Sequence, residues 1–103
     1  MEHLILFAVM LATLRCTAYC ETGNPTASGV MPVEGVTCAV DRINGIKIPF
    51  GTKLIFQDGT VLIVQDRFGD NRNNGCDWYI EGEKRCFDRG VWTEENVKVV
   101  LHE

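Results

Sequence analysis

The fold is decided by the stretch Thr52-Lys-Leu-Ile-Phe-Gln-Asp-Gly-Thr-Val-Leu-Ile-Val-Gln-Asp66. Two runs rich in apolar and β-branched residues, Thr52–Phe56 and Val61–Gln65, flank the polar segment Gln57-Asp-Gly-Thr60. β-Branched and aromatic residues favour strands, and an Asp-Gly pair between two such runs is a strong signal for a β-hairpin. The stretch therefore predicts two antiparallel strands joined by a tight turn.

Four other short runs have the same strand-like composition, and they are predicted as strands: Thr13–Tyr19, Val36–Val40, Asp77–Ile80 and Val97–Leu101. One helix is predicted, over Glu83–Arg89, because Gly90 follows it as a typical helix-ending residue. Six short strands at this spacing indicate a mainly β protein that forms a small six-stranded barrel with one short helix. Closing the sheet into a barrel also removes its exposed edges.

Size and charge exclude several classes of protein. The chain has 103 residues, which suits one domain rather than two. Hydrophobic residues make up 46% and charged residues 23%, a composition typical of a folded globular protein rather than a disordered one. The net charge of −4 removes the electrostatic attraction that nucleic-acid binding needs. We therefore expect no nucleic-acid partner.

The N-terminal run Leu4–Leu14 contains eleven residues without a charge. It is too short to span a membrane as a helix, which takes about 20 residues, but it matches the hydrophobic region of a secretory signal. The alternative is an apolar lead-in to the first strand. We predict that residues 1–12 are a signal peptide or such a lead-in, that residues 13–103 form the domain, and that no integral membrane span exists.

Five cysteines follow the apolar run, at positions 16, 20, 38, 76 and 86. So many cysteines in a short exported chain predict disulfides, and an odd number leaves at least one thiol unpaired. The spacing of Cys16 and Cys20 has no matching second pair, so zinc binding is not favoured. The sequence leaves the connectivity open.

Three aspartates lie where an apolar strand meets a loop. Asp41 and Asp66 each follow a predicted strand, and Asp77 begins one. If the strands at 61–65 and 77–80 are neighbours that run in opposite directions, Asp66 and Asp77 share one end of the sheet. The alternative interpretation is that each aspartate stabilises a turn through its backbone amides.

Carboxylates that lie close together repel, and this repulsion raises the pKa of one of them. A protonated carboxyl can give its proton to a leaving oxygen, while its neighbour stabilises positive charge. Enzymes that break glycosidic bonds usually use such a pair of carboxyl groups. The three aspartates could instead form a divalent-cation site, but hard cations usually need more oxygen ligands than these supply.

The order of motifs resembles the three-aspartate domain, which is similar to the catalytic barrel of membrane-bound lytic transglycosylase A. The resemblance covers about Thr13 to Leu101 and depends on the following pieces: Cys16-Thr-Ala-Tyr-Cys20, Thr26-Ala-Ser-Gly29, Ala39-Val-Asp41, Ile48-Pro-Phe-Gly-Thr52, Val64-Gln-Asp-Arg-Phe-Gly69, Cys76-Asp-Trp-Tyr79 and Val97-Lys-Val-Val-Leu101. Each motif alone is weak, but the first six in the expected order are specific, and the closing piece, Val97–Leu101, also fits.

This resemblance implies a six-stranded double-psi β-barrel that acts on the glycan strands of peptidoglycan. Lytic members cleave the β-1,4 bond between N-acetylmuramic acid and N-acetylglucosamine and leave a 1,6-anhydro end. It implies that Asp77 is the acid and base, that Asp66 assists it, and that Asp41 is structural. Residues in the matching motifs are expected to line the sugar cleft: Thr17, Tyr19, Ser28 and Gly69. No metal or cofactor is implied.

The expected location is outside the cytoplasm, either secreted, in the cell envelope or carried by a phage. A second function is compatible with the same barrel, namely a non-catalytic module that binds the cell wall or forms part of a virion. Release of anhydro products distinguishes the two functions.

Overall fold

The computed structural model describes residues 8–103 of the chain. Within this range the chain forms eight strands and one helix: β1 Val9–Tyr19, β2 Thr37–Ala39, β3 Arg42–Ile43, β4 Ile46–Lys47, β5 Lys53–Ile55, β6 Val61–Asp66, β7 Gly75–Tyr79, α1 Glu83–Arg89 and β8 Trp92–Val100. No helix in the described part has the length and apolar character needed to cross a membrane.

Six of the strands close into a barrel in the order β1-β7-β2-β6-β5-β8. The pairs β1/β7 and β2/β6 are parallel, and the other four pairs are antiparallel. Exchanging β1, β2 and β5 with β6, β7 and β8 leaves this order unchanged, so the barrel has an internal two-fold symmetry. The predicted six-stranded barrel with one short helix is confirmed, and the symmetric parallel pairs agree with a double-psi arrangement.

The hairpin that the sequence predicted is formed by β5 and β6. Leu54 pairs with Leu62, and both side chains are buried. The turn closes through a hydrogen bond from Phe56 N–H to the Thr60 carbonyl at 2.9 Å. Gly59 has a φ of 90° in this turn, a conformation that residues with a Cβ adopt at a cost.

This turn gives the first prediction. Replacing Gly59 with Ala should destabilise the protein by about 1–2 kcal/mol, because the positive φ strains an L-residue. No atom lies within 4 Å of the added Cβ, so the cost comes from the backbone alone. Urea unfolding measures the change. Gly59→Asn should cost less, since Asn tolerates positive φ better. Equal stability of Gly59→Ala and the parent protein would contradict this explanation.

Strand β1 begins earlier than predicted. Val9–Ala12 continues the strand and pairs with the last residues of β8, and Ala12 is buried in the core. The N-terminal part of the predicted leader, residues 1–7, lies outside the described residues. Strand β8 is also longer than predicted because it pairs with β1 along most of its length.

A second hairpin, β3 and β4, was absent from the predicted elements. It turns at Asn44 and Gly45, with φ values of 51° and 78°. An Asn-Gly pair between apolar residues is the usual signature of such a turn, so Ile43-Asn-Gly-Ile46 carried a signal that sequence reasoning missed.

Aromatic side chains fill part of the barrel interior. Trp78 contacts Phe56 and Trp92, with ring centroids 4.7 and 5.4 Å apart, and the guanidinium of Arg89 lies 4.0 Å from the Trp92 ring centroid. Trp78 and Trp92 are partly buried and pack against the core. Tyr19, by contrast, contacts Tyr79 on the outside of the barrel.

Helix α1 is attached to the barrel by its ends and by polar contacts, since none of its seven residues is buried. A helix this short is not stable alone in water. Arg85 forms an ion pair with Glu34 at 2.9 Å, and the N–H of Gly82 donates to the Glu21 carboxylate at 3.0 Å. The helix ends at Gly90 as predicted.

All five cysteines are free thiols, so the predicted disulfides are not formed in this structure. They belong to two groups. Three are buried in the barrel core, namely Cys16, Cys38 and Cys76, whereas Cys20 and Cys86 are partly exposed.

Candidate functional site

Strand β2 places the two predicted catalytic aspartates on either side of itself. The sequence hypothesis treated the strands at 61–65 and 77–80 as neighbours, but β2 lies between them, antiparallel to β7 and parallel to β6. Ala39 pairs with Asp77 on one side and with Asp66 on the other. Two inter-strand spacings separate the aspartates, about 10 Å between their Cα atoms, and both lie at one level of the barrel.

A β-bulge turns Asp66 toward the outer face. Cys38 pairs with Val64, but the next residue, Ala39, pairs with Asp66, so Gln65 is the extra residue of the bulge. Val64 points into the core, and strict alternation would point Asp66 inward as well. The bulge breaks this alternation, which brings the carboxylate onto the outer face where Asp77 lies.

Asp77 is half-buried and has one side-chain hydrogen bond. The hydroxyl of Thr17, its register neighbour on β1, donates to Oδ1 of Asp77 at 2.8 Å. Burial raises the pKa of Asp77, and the charge of Asp66 adds to this effect, while the Thr17 hydroxyl and the Arg72 charge partly oppose it. The carboxyl of Asp77 therefore keeps its proton at higher pH than an ordinary aspartate does.

Asp66 accepts several hydrogen bonds. The phenol of Tyr19 donates to Oδ2 at 3.1 Å, and the N–H groups of Ala27 and Arg67 each donate to Oδ1 at 2.9 Å. Burial raises the pKa of Tyr19, and the charges of Asp66 and Asp77 raise it further. The phenol of Tyr19 therefore keeps its proton and stays a hydrogen-bond donor to Asp66.

The loop after β1 covers the Asp66 side of the site. The N–H of Ser28 donates to the Gln65 carbonyl at 3.1 Å, and the hydroxyls of Ser28 and Thr26 are 3.0 Å apart. Thr26 is buried and Ser28 is exposed. Of the predicted cleft residues, Thr17 and Tyr19 donate to the two carboxylates, whereas Ser28 contacts the Gln65 carbonyl next to Asp66.

Asp41 has a different environment. Its buried carboxylate accepts backbone N–H bonds, at 2.9–3.4 Å, from four residues of one loop: Phe68, Gly69, Asp70 and Arg72. Burial by itself would raise the pKa of Asp41, but these four donors hold the pKa below its ordinary value. Asp41 therefore anchors the loop that connects β6 to β7. Gly69, predicted to line the cleft, contacts Asp41 and has no described hydrogen bond to Asp66 or Asp77.

Two open cavities border β1, and neither has Asp66 or Asp77 in its lining. One, of about 760 Å³, lies between β1 and α1 and includes Tyr19 in its lining. The other, of about 450 Å³, includes Thr17 and is lined mainly by polar residues: Arg15, Arg72, Asn73 and Asn74. Sequence reasoning missed Arg72, whose charge acts on Asp77, because no motif marks it in the Asn-rich loop.

The described residues contain no group of three or more His, Cys, Asp or Glu side chains placed to hold a metal ion. The three aspartates, considered above as an alternative cation site, do not form such a group. Asp41 is engaged by backbone N–H donors instead.

Comparisons with known proteins give no relative that identifies this site. No protein-family model matches the chain, and neither a curated protein nor a solved structure matches it.

Proposed function

We propose that the protein is a peptidoglycan lytic transglycosylase-like enzyme, which cleaves the β-1,4 bond between N-acetylmuramic acid and N-acetylglucosamine and leaves a 1,6-anhydro end. One observation carries the proposal. Two carboxylates lie in register on the outer face, on either side of Ala39, and burial raises the pKa of one of them, Asp77. A protonated acid beside an acidic partner is suited to breaking a glycosidic bond.

Asp77 acts first as the acid. Its protonated carboxyl gives the proton to the leaving glycosidic oxygen as the bond to C1 breaks. The Thr17 hydroxyl donates to Oδ1, so Oδ2 is the oxygen available to hold the transferred proton. The same hydrogen bond stabilises the carboxylate that remains after the transfer.

Asp66 stabilises the positive charge that develops at C1. Its carboxylate is held by the Tyr19 phenol and by two backbone N–H groups, so it is oriented before substrate arrives. The Asp77 carboxylate then takes the proton of the C6 hydroxyl of the muramoyl residue, and O6 forms a bond to C1. Asp77 is protonated again, and no water is consumed.

The cavities support an extended substrate. They border β1 at Thr17 and at Tyr19, the two residues whose hydroxyls donate to Asp77 and Asp66. A glycan strand needs an open path, because the bond to be cleaved lies within a chain.

A second candidate is a non-catalytic module that binds the cell wall or belongs to a virion. It is favoured by the hydrogen bonds of Asp66, whose two oxygens already accept three donors within the protein. A carboxylate so engaged can serve to hold the covering loop rather than to act on a substrate.

Incubation with purified peptidoglycan sacculi separates the two candidates. The enzyme should release soluble muropeptides that carry an anhydro end and are lighter by one water than hydrolysis products, as measured by mass spectrometry. A protein that sediments with the sacculi but releases no muropeptide would support the binding module and contradict the enzymatic proposal.

Tyr19 provides a sharper test of the site. Tyr19→Phe removes the hydrogen bond to Asp66 and keeps the ring, so we expect kcat for muropeptide release to fall roughly 10-fold, the equivalent of one such bond. Tyr79→Phe is the matched control, since the Tyr79 ring packs against Tyr19 and its hydroxyl has no described partner. Equal rates for the two variants would exclude a role for the Tyr19 hydroxyl.

A further inference from the structure

Cys20 and Cys86 lie on the same cavity, and the Cys20 thiol is among the groups that raise the pKa of Cys86, after burial. Both thiols line the cavity between β1 and α1, together with Tyr19, Lys84 and Phe87 among others. Both are partly exposed, so an oxidant can reach them from solvent.

The backbones that carry these two cysteines are held in place by hydrogen bonds. The N–H of Ile80 donates to the Tyr19 carbonyl at 2.9 Å, which positions the chain just before Cys20. The N–H of Gly82 donates to the carboxylate of Glu21, the residue after Cys20, at 3.0 Å. The N–H of Cys86 in turn donates to the Gly82 carbonyl at 3.0 Å. These contacts connect the end of β1 to the first turn of α1.

We propose that Cys20 and Cys86 form a disulfide that fixes helix α1 to the end of β1. The reaction takes place in an oxidising environment, with a low-molecular-weight disulfide such as oxidised glutathione as oxidant. One cysteine thiolate attacks oxidised glutathione and releases reduced glutathione, and the second thiolate then displaces the bound glutathione. In total the two thiols lose two protons and two electrons, and the oxidant becomes two molecules of glutathione.

The other three cysteines stay reduced. Cys16, Cys38 and Cys76 have no exposed surface. The hydrogen bond to Cys76, together with burial, raises the pKa of Cys16, and burial raises the pKa of Cys76. A buried thiol with a raised pKa is a poor nucleophile toward an external disulfide. With a bond between Cys20 and Cys86, the five cysteines divide into one disulfide and three core thiols.

The bond should stabilise the protein, because α1 has no buried residue and depends on a few polar contacts. Closing a long loop usually raises stability considerably. We expect the melting temperature of the oxidised protein to exceed that of the reduced protein by roughly 10 °C.

The experiment treats the full chain with oxidised glutathione at mildly alkaline pH and counts free thiols before and after. Five thiols should become three, with a mass loss of two hydrogen atoms. Cleavage after aromatic residues, Glu21 and the basic residues then isolates Cys20 on fragment 20–21 and Cys86 on fragment 86–87. Mass spectrometry without reduction should find these two fragments linked.

Cys20→Ser and Cys86→Ser serve as matched controls. In each variant the three core thiols should stay free, and the remaining cysteine of the pair should form only an adduct with glutathione. Oxidation should raise the melting temperature of each variant much less than that of the parent protein. Retention of five free thiols in the parent protein, or a bond that maps to a core cysteine, would overturn the proposal. An unchanged melting temperature after the bond forms would overturn its role in fixing the helix.

Discussion

Replacing Asp77 with Asn should reduce muropeptide release by roughly 10²- to 10⁴-fold, the usual contribution of a general acid. The amide keeps the shape of the side chain and an oxygen that can accept the Thr17 hydroxyl, but it has no proton to give to the leaving oxygen. Release is measured by mass spectrometry of soluble products from purified sacculi. Parent activity should also fall as pH rises through the raised pKa of Asp77, because the acid form is then lost.

The same variant should not lose stability. A raised pKa means that the folded protein binds the Asp77 proton more tightly than the unfolded chain does, so ionisation at neutral pH disfavours folding. Asn cannot ionise, and we expect the melting temperature at neutral pH to be equal or higher. Asp88→Asn is the control, since this exposed residue forms only a surface pair with Lys84. Parent-like release by Asp77→Asn would rule out its role as the acid.

Replacing Asp41 with Asn should lower the free energy of unfolding by about 3 kcal/mol, because hydrogen bonds to a charged acceptor are strong. The carboxylate accepts four backbone N–H groups, and the amide nitrogen of Asn would face some of these donors without accepting a bond. Urea unfolding at neutral pH measures the loss. The control is Asp58→Asn, because Asp58 accepts one N–H in an exposed turn, a contact that Asn can also make.

The effect of Asp41 should depend on pH. Since the folded protein holds the pKa of Asp41 below its ordinary value, the stability that it contributes is complete above the unfolded pKa of about 3.9 and is lost as pH falls through the folded pKa. The parent protein and Asp41→Asn should therefore become more similar in acid. If the difference in free energy of unfolding between the parent protein and Asp41→Asn were equal at neutral pH and at roughly pH 3, the charge of Asp41 would not be the source of the stability.

The local elements of the fold were predictable where the signal is short-range. The Asp58-Gly59 turn and the Gly90 helix end identify hairpin β5/β6 and helix α1, because the backbone conformation at these points selects the residue type. The strand order was not predictable in the same way. β2 is inserted between β6 and β7 by contacts between residues far apart in sequence, and a three-residue strand with both faces buried carries no alternation to reveal its neighbours.

The sequence allowed the residues of the candidate site to be predicted, but not their arrangement in space. Asp66 and Asp77 stand out because each lies at the end of an apolar run, but the outward direction of Asp66 depends on the bulge at Gln65, which leaves no mark in the sequence. Asp41 carries the same strand-end signal and performs a different task, because four N–H groups of the following loop converge on it. Arg72 acts on Asp77 from a loop without a motif.

The proposed chemistry requires that the folded protein keep a proton on Asp77 above the ordinary aspartate range, with help from Asp66. Carboxyl-carbon NMR, recorded during a pH titration of the parent protein and of Asp66→Asn, measures this directly. We expect Asp77 to titrate above the ordinary value of about 3.9 in the parent protein. It should titrate lower in Asp66→Asn, while still above that value, because burial is the larger cause. Titration of Asp77 at or below the ordinary value would contradict its role as the acid.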